Sequence, residues 1–363
     1  MEDVWTHLWS DLNAPVLLEI AQYASILFWV IALKHFFFTH LVYARLLGPV
    51  LGISSQQQKQ QLLQRFVNTM AQLDHHTLST LLTVQIFYHR FVPWISDYFD
   101  CYTPYTLASQ TVWMPSVALE AWRLVRSMSY SLYGQTYLLA AAAAEANVPE
   151  LSTPFTAEHL SIMVYSYQLA YYAFGIILLL FIHEKREDFR VMVVHHFAAI
   201  VLIALSGGSC LRHPGLMVMF FHDFTDVFLY TFKVARYAKL EVLAKVSFLL
   251  LLFTFIFTRI GLMTYYLVMH YLYLGFQVPP SPESLAYASD SSSWSSFRVP
   301  IERILYAFMW PLVLCQCYWS KILVSVGFSA LSGKKIRDPR EPELQEEEEA
   351  LEEEEQENKQ HKE

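Results

Sequence analysis

The chain has 363 residues, of which 55% are hydrophobic and 16% charged, whereas soluble domains carry roughly 25% charged residues. This balance argues against an ordinary soluble protein of two or three domains and points to a polytopic membrane unit. The net charge of -8 belongs to one segment, because residues 338–363 hold 13 acidic and 3 basic side chains and leave the remainder at +2. Without a basic excess or a recognition motif, nucleic acid is not an expected partner. Four cysteines without C-x-x-C spacing argue against a disulfide scaffold or a structural zinc site.

Crossing about 30 Å of hydrocarbon requires roughly 20 apolar residues in a helix. Seven stretches qualify in chain order, at about 18–43, 77–95, 160–182, 191–211, 214–232, 246–270 and 304–320. An eighth, 127–144, is uncharged but dotted with Ser, Gly and Gln. Lys and Arg concentrate in cytoplasmic loops; leaving 127–144 at the membrane surface puts 15 of them on one side and four on the other. The expected fold is therefore all-α, a polytopic membrane helix bundle of about seven transmembrane helices, with six or eight as the neighbouring counts. The N-terminus is expected on the exterior or lumenal side and the C-terminus in the cytosol. The opening MEDVWTHLWSDLNAP has no basic n-region, so the first spanning helix is expected to direct insertion itself. Residues 1–54 form an N-terminal segment with the first transmembrane helix, and 55–330 form the main membrane domain, with a surface insertion at about 106–154. Residues 331–363 form an acidic tail, too charged to bury a core and expected to be disordered and cytosolic.

Ionisable side chains at membrane depth are costly and mark functional positions. The fourth expected span carries His195 and His196, and the fifth reads FHDFTDVFLY and supplies His222, Asp223 and Asp226. His222 and Asp226 are four residues apart and Asp223 and Asp226 three apart, so all three can share one helix face. A carboxylate one turn from an imidazole can fix its tautomer, as a general base or an activated nucleophile requires. The histidines form no H-x-x-x-H or H-x-x-H-H pattern, which argues against a membrane di-iron enzyme; a small zinc site built from these same five residues is the competing chemistry, and no metal is assigned.

The runs EKREDFRVMVVHHFAAIVLIALS and GLMVMFFHDFTDVFLYTFKVARY resemble the Lag1 motif of ceramide synthases, within the TRAM-Lag1-CLN8 (TLC) membrane domain. The residues that carry the resemblance are Arg186, Asp188, Phe189, the His195–His196 pair, Asp223, Asp226, Lys233, Tyr237 and TRIG at 258–261. The segment CYTPY from Cys101, and Asp338, Arg340 and Glu343 after the last span, add to it. On this reading the Lag1 motif covers about 183–237 and the TLC domain 55–330. The chain departs from the family pattern at Ala199, where Ser or Thr is usual, and at Tyr230, where Glu is frequent.

The resemblance implies an N-acyltransferase that joins a fatty acyl group from acyl-CoA to a sphingoid base, giving ceramide or dihydroceramide in the endoplasmic reticulum membrane. Its partners would be acyl-CoA, the sphingoid base and membrane lipids, with self-association or pairing with a second chain left open. No cofactor is expected, acyl-CoA being a substrate. Lys185, Arg186, Arg190, Lys233 and Arg236 are expected to line a cytosolic mouth for CoA, although positive-inside topology alone puts basic residues there. His195 or His196 could assist attack by the amine. His222 is the candidate for an acyl-imidazole because Asp226 can back it. Arg259 in the sixth span would be a counter-charge for the Asp pair or a structural ion-pair partner. The rival reading is a non-catalytic TLC-domain protein that binds, senses or transports lipid. Cys101 and Cys210 fall on the same non-cytosolic side and could pair if their Cα atoms lie within about 7 Å.

Overall fold

A computed structural model describes residues 14–37, 57–87, 123–125, 127–128, 157–181, 187–208, 212–265 and 294–332. Seven long helices account for almost all of them: α1 (Ala14–Phe37), α2 (Gln57–Phe87), α3 (Ala157–Phe181), α4 (Phe189–Gly207), α5 (Arg212–Tyr237), α6 (Glu241–Thr254, continued as a π-helix through Phe255–Leu262) and α7 (Trp294–Leu331). Among the described residues there is no strand. The surface segment expected around 127–144, the cysteines Cys101 and Cys210, and the acidic tail lie outside the described residues except for positions 127 and 128.

Five of the seven helices, α1, α3, α4, α6 and α7, are long and apolar enough to cross a membrane. The other two, α2 and α5, are long but too polar on average to meet that standard. The reason is visible in their sequences: α2 begins in the run QQKQQLLQ and carries Asp74, His75 and His76, while α5 carries His222, Asp223, Asp226 and Lys233. These two helices pack chiefly against each other, α5 then against α6, α6 against α7, α7 against α4, α4 against α3 and α3 against α2. Six helices thus close a ring, and α1 lies outside it against α3. A membrane can accommodate α2 and α5 in this arrangement because their polar faces meet inside the protein instead of facing lipid.

At one end of the ring α5 turns into α6 through Lys239, whose φ of 57° is left-handed. The Leu240 N–H bonds the Ala235 carbonyl at 2.8 Å and the Lys239 N–H bonds the Arg236 carbonyl at 3.0 Å, the paired bonds that close a helix C-terminus on a left-handed residue. Arg190, Lys233, Arg236, Lys239 and Lys245 gather at this basic end. At the opposite end α4 passes into α5, and Tyr165 of α3 ties them together: its hydroxyl donates to the Arg212 carbonyl at 2.8 Å and lies 3.1 Å from the Ser206 hydroxyl.

At this opposite end the packing around Gly207 is tight. An added Cβ on Gly207 would come within 2.8 Å of the Tyr165 ring and 2.9 Å of the Ile20 side chain, so this glycine lets α1, α3 and α4 approach closely, as small residues do between membrane helices. Gly207→Ala is expected to cost about 1–3 kcal/mol, the usual range for overpacking a filled core. It should be read as a lower unfolding temperature of the detergent-purified protein, and an unchanged temperature would contradict the packing.

Candidate functional site

Four helices of the ring, α3, α4, α5 and α7, line a half-open, narrow cavity of about 80 Å³. Along α4 it extends from His195 through Ala199, Leu202 and Ile203 to Ser206, about 16 Å at 1.5 Å per residue. Val218 and Met219 of α5 and Leu305, Met309 and Leu312 of α7 supply the other apolar walls. Gln168, Tyr172, His195 and His222 make the polar end, nearer the basic end of the ring. Chemically this is a long greasy slot capped by two imidazoles.

The two adjacent histidines of α4 separate, because consecutive helical residues point about 100° apart. His195 is 8% exposed and lines the cavity, held by ring contacts to Trp319 at 5.2 Å, His222 at 5.8 Å and Tyr172 at 6.2 Å. Its Nδ1 is buried without a hydrogen-bond partner. His196 faces α3 instead, donating from Nδ1 to the Met192 carbonyl at 2.9 Å and lying against Tyr172 and Gly175.

Of the three ionisable residues of α5, Asp223 and Asp226 both face His76 of α2, while His222 turns to the cavity. His222 donates from Nδ1 to the Val218 carbonyl at 2.7 Å, which leaves the Nε2 lone pair to accept the Gln316 amide at 3.0 Å. Asp226 does not back it. That expectation is corrected by a stronger attraction: the Asp226 carboxylate meets the Arg259 guanidinium at 2.7 Å, a full charge that a neutral imidazole cannot match. Val218, one turn away on the same helix, fixes the His222 tautomer instead. Arg259 also donates to the His222 carbonyl at 2.5 Å and to the Gln316 amide oxygen at 3.3 Å. It sits in the π-helical turn of α6, a local widening frequent at functional positions.

Asp223 turns to α2. It accepts from His76 Nδ1 at 2.7 Å, from the Ser79 hydroxyl at 2.6 Å and from the Gln168 amide. The His76 Nε2 stands 4.0 Å from Asp226. The sequence reading missed His75, His76, Ser79, Gln168, Tyr172, Gln316 and Trp319. A signal existed for the first two, a histidine pair beside the second apolar stretch, but the expected span began at 77 and left the pair just outside it.

Of the expected basic mouth, Lys185 and Arg186 lie outside the described residues. Arg190 is exposed at the start of α4 and Arg236 is half-buried. Lys233, in contrast, is 8% exposed, so it is not part of an open mouth; it lies on the ring side of α5, four residues inside Tyr237. Asp188 is fully buried just before α4 and accepts the Trp319 indole N–H at 3.2 Å, which ties the wall carrying His195 to α7.

The TLC-domain family profile matches residues 116–325, more than half of the chain. Among characterised proteins the chain is similar to ASC1-like protein 1 of Oryza sativa subsp. japonica, 37% identical over 97 residues that cover 27% of this chain and 31% of that protein. It is 26% identical over 170 residues to ceramide synthase hyl-2 of Caenorhabditis elegans, covering 46% of this chain and 48% of the relative. It is 29% identical over 177 residues to ceramide synthase 5 of Homo sapiens, covering 48% and 41%. The chain therefore spans less than half of the length of each of these relatives.

The Asp226–Arg259 pair carries its own check. Removing one partner of a buried pair leaves the other charge uncompensated and costs about 3–5 kcal/mol, whereas replacing both by apolar groups is close to neutral. Arg259→Met should accordingly lower the unfolding temperature sharply, and adding Asp226→Leu should restore most of it; equal losses in the single and double variants would show that the pair is not coupled.

Proposed function

The chain belongs to the TLC-domain family, and from that premise we propose that it is an N-acyltransferase that transfers a fatty acyl group from acyl-CoA to the amine of a sphingoid base, forming ceramide or dihydroceramide. The observation that carries the proposal is the cavity: an apolar slot about 16 Å deep by helical rise, with His195 at its polar end and a ring nitrogen left without a partner. The names of the relatives that are ceramide synthases support the same reading. The acyl chain occupies the slot and the thioester carbon lies beside His195. The CoA headgroup, polyanionic and unable to enter an apolar wall, stays at the basic end, where Arg190 is exposed. That end is cytosolic in the positive-inside topology, and the membrane is that of the endoplasmic reticulum.

The transfer requires that the amine lose a proton and the sulfur gain one as the C–N bond forms and the C–S bond breaks. His195 suits this exchange because its imidazole is not committed to another group. It acts either by taking the amine proton and passing it to the departing thiolate, or by attacking the thioester itself to give an acyl-imidazole that the amine then resolves. His222 is the weaker nucleophile here, since Gln316 occupies its Nε2 lone pair; its role is to fix the polar end together with Gln316 and Arg259. A lipid-binding protein without catalysis would fill the same slot and remains the reading that the assay must eliminate.

Purified protein supplied with a fatty acyl-CoA and sphinganine should release N-acyl product, followed by mass spectrometry; binding of acyl-CoA without turnover would establish the non-catalytic alternative. His195→Ala is expected to lower turnover by about 10²–10⁴-fold, the range for removing an acid/base group, while insertion and unfolding temperature stay near those of the parent. His196→Ala, directed at α3, should lose less. Intact mass of the protein after acyl-CoA alone separates the two routes, an added acyl group that vanishes in His195→Ala marking the covalent one.

A further inference from the structure

Behind Gln168 and Tyr172 lies a second group of ionisable side chains that the proposed acyl transfer does not use. His75 and His76 of α2 and Asp223 of α5 are 2%, 4% and 1% exposed. One ligand-capable atom from each lies within 4.8 Å of the others. Two further observations distinguish this group from an ordinary polar contact. Neither ring nitrogen of His75 makes a hydrogen bond of good geometry, the Gln168 side chain being its nearest polar neighbour, although a neutral imidazole carries one donor and one lone pair and each unmet buried group costs about 1–3 kcal/mol. In addition, Asp223 meets no Lys or Arg among the described residues; its partners are His76, Ser79 and Gln168, and the guanidinium nearby is committed to Asp226. A buried imidazole whose nitrogens make no hydrogen bond of good geometry and a buried carboxylate without a fixed cation stand side by side.

We propose that His75, His76 and Asp223 form a binding site for a divalent transition-metal ion of the zinc class, which clamps α2 to α5. Two imidazole nitrogens and one carboxylate oxygen suit zinc, while magnesium and calcium favour all-oxygen sets. Ligand atoms around a tetrahedral zinc are roughly 3.4 Å apart, so the donors need to draw in by little more than 1 Å. The ion takes the place of the proton that His76 Nδ1 gives to Asp223, and that proton passes to the ring's other nitrogen, Nε2, so that a neutral imidazole coordinates. Zinc then satisfies one nitrogen of His75 and supplies the positive charge that Asp223 lacks. The fourth position is left to water or to Asp226, whose carboxylate is 4.0 Å from His76 Nε2. The site is structural: the cavity reaches Gln168 but not the three ligands.

The test uses the full chain, purified in detergent through a tag that does not chelate metals, with metal content measured by inductively coupled plasma mass spectrometry. The expected result is close to one zinc per chain, lost in His75→Gln and His76→Gln and retained in His35→Gln on α1. Chelator-stripped parent protein should unfold at a lower temperature and recover with zinc but not with magnesium, a readout that stands even if the variants fold poorly. Reloading with cobalt(II) should produce the visible bands of a tetrahedral nitrogen and oxygen site. Background metal in the parent together with no cobalt bands would overturn the proposal and leave His76 and Asp223 as a buried hydrogen-bonded pair. Zinc retained at full occupancy in a folded His75→Gln protein would overturn it equally. Neither result depends on whether the protein transfers acyl groups.

Discussion

A guanidinium at membrane depth is costly unless charged or polar groups answer it, and much of the ring's interior follows from how Arg259 meets that requirement. Its charge draws Asp226 from α5 across to α6. Its second hydrogen bond takes the backbone carbonyl of His222, and its third reaches Gln316 of α7. One side chain thereby registers three helices against one another. The register determines which way His222 faces, because Gln316, held from one side by Arg259, presents its amide to the imidazole from the other. With His222 so engaged and His195 left with an unmet nitrogen, the two imidazoles at the mouth of the slot differ in availability even though their rings lie 5.8 Å apart.

The same logic explains why the two most polar helices are central in the ring. A span with the composition of α2 would be poorly tolerated against lipid on all sides. Paired with α5, its buried face sets His76 and Ser79 against Asp223, while Thr83 is satisfied within α2 by the Ser79 carbonyl. Lipid sees the opposite faces, where Leu78, Leu81 and Val84 are exposed. Apolar helices complete the wall, and the cavity opens where α3, α4, α5 and α7 leave room between Ala199, Gly215 and the Leu305–Leu312 turns.

What the sequence made legible, and what it hid, divides along the range of the interaction. The apolar stretches of α3 and α4 are strong local signals, and their expected bounds of 160–182 and 191–211 fall close to the observed helices. The His195–His196 and His222–Asp223–Asp226 clusters were readable because they are local in sequence and rare at membrane depth. Their partners were not. His76 and Asp223 are 147 residues apart, Arg259 and Gln316 57 apart, and Trp319 and Asp188 131 apart, and no periodicity reports such pairings. For α2 the error had a physical source: hydropathy measures transfer into lipid, and half of this helix is never transferred into lipid. The i, i+4 argument for His222 and Asp226 failed for a similar reason. Spacing along one helix shows which side chains can meet, but the charge on a neighbouring helix decided which did.

Closing the ring also imposes an order of events during synthesis. The polar face of α2 enters the bilayer long before α5 has been made, since 147 residues separate His76 from Asp223. Until then, among the described residues, α2 has α1, through the Lys34–Asp74 ion pair, and α3, through Gln168 and Tyr171, and α3 itself arrives after a connection of nearly 70 residues. The insertion machinery must therefore either retain α2 beside its aqueous channel or allow it to enter late, once a companion helix is present. A helix selected for its partner rather than for lipid makes the biogenesis of this protein a problem of waiting, in which the slowest step is the arrival of the chain that will cover what has already been made.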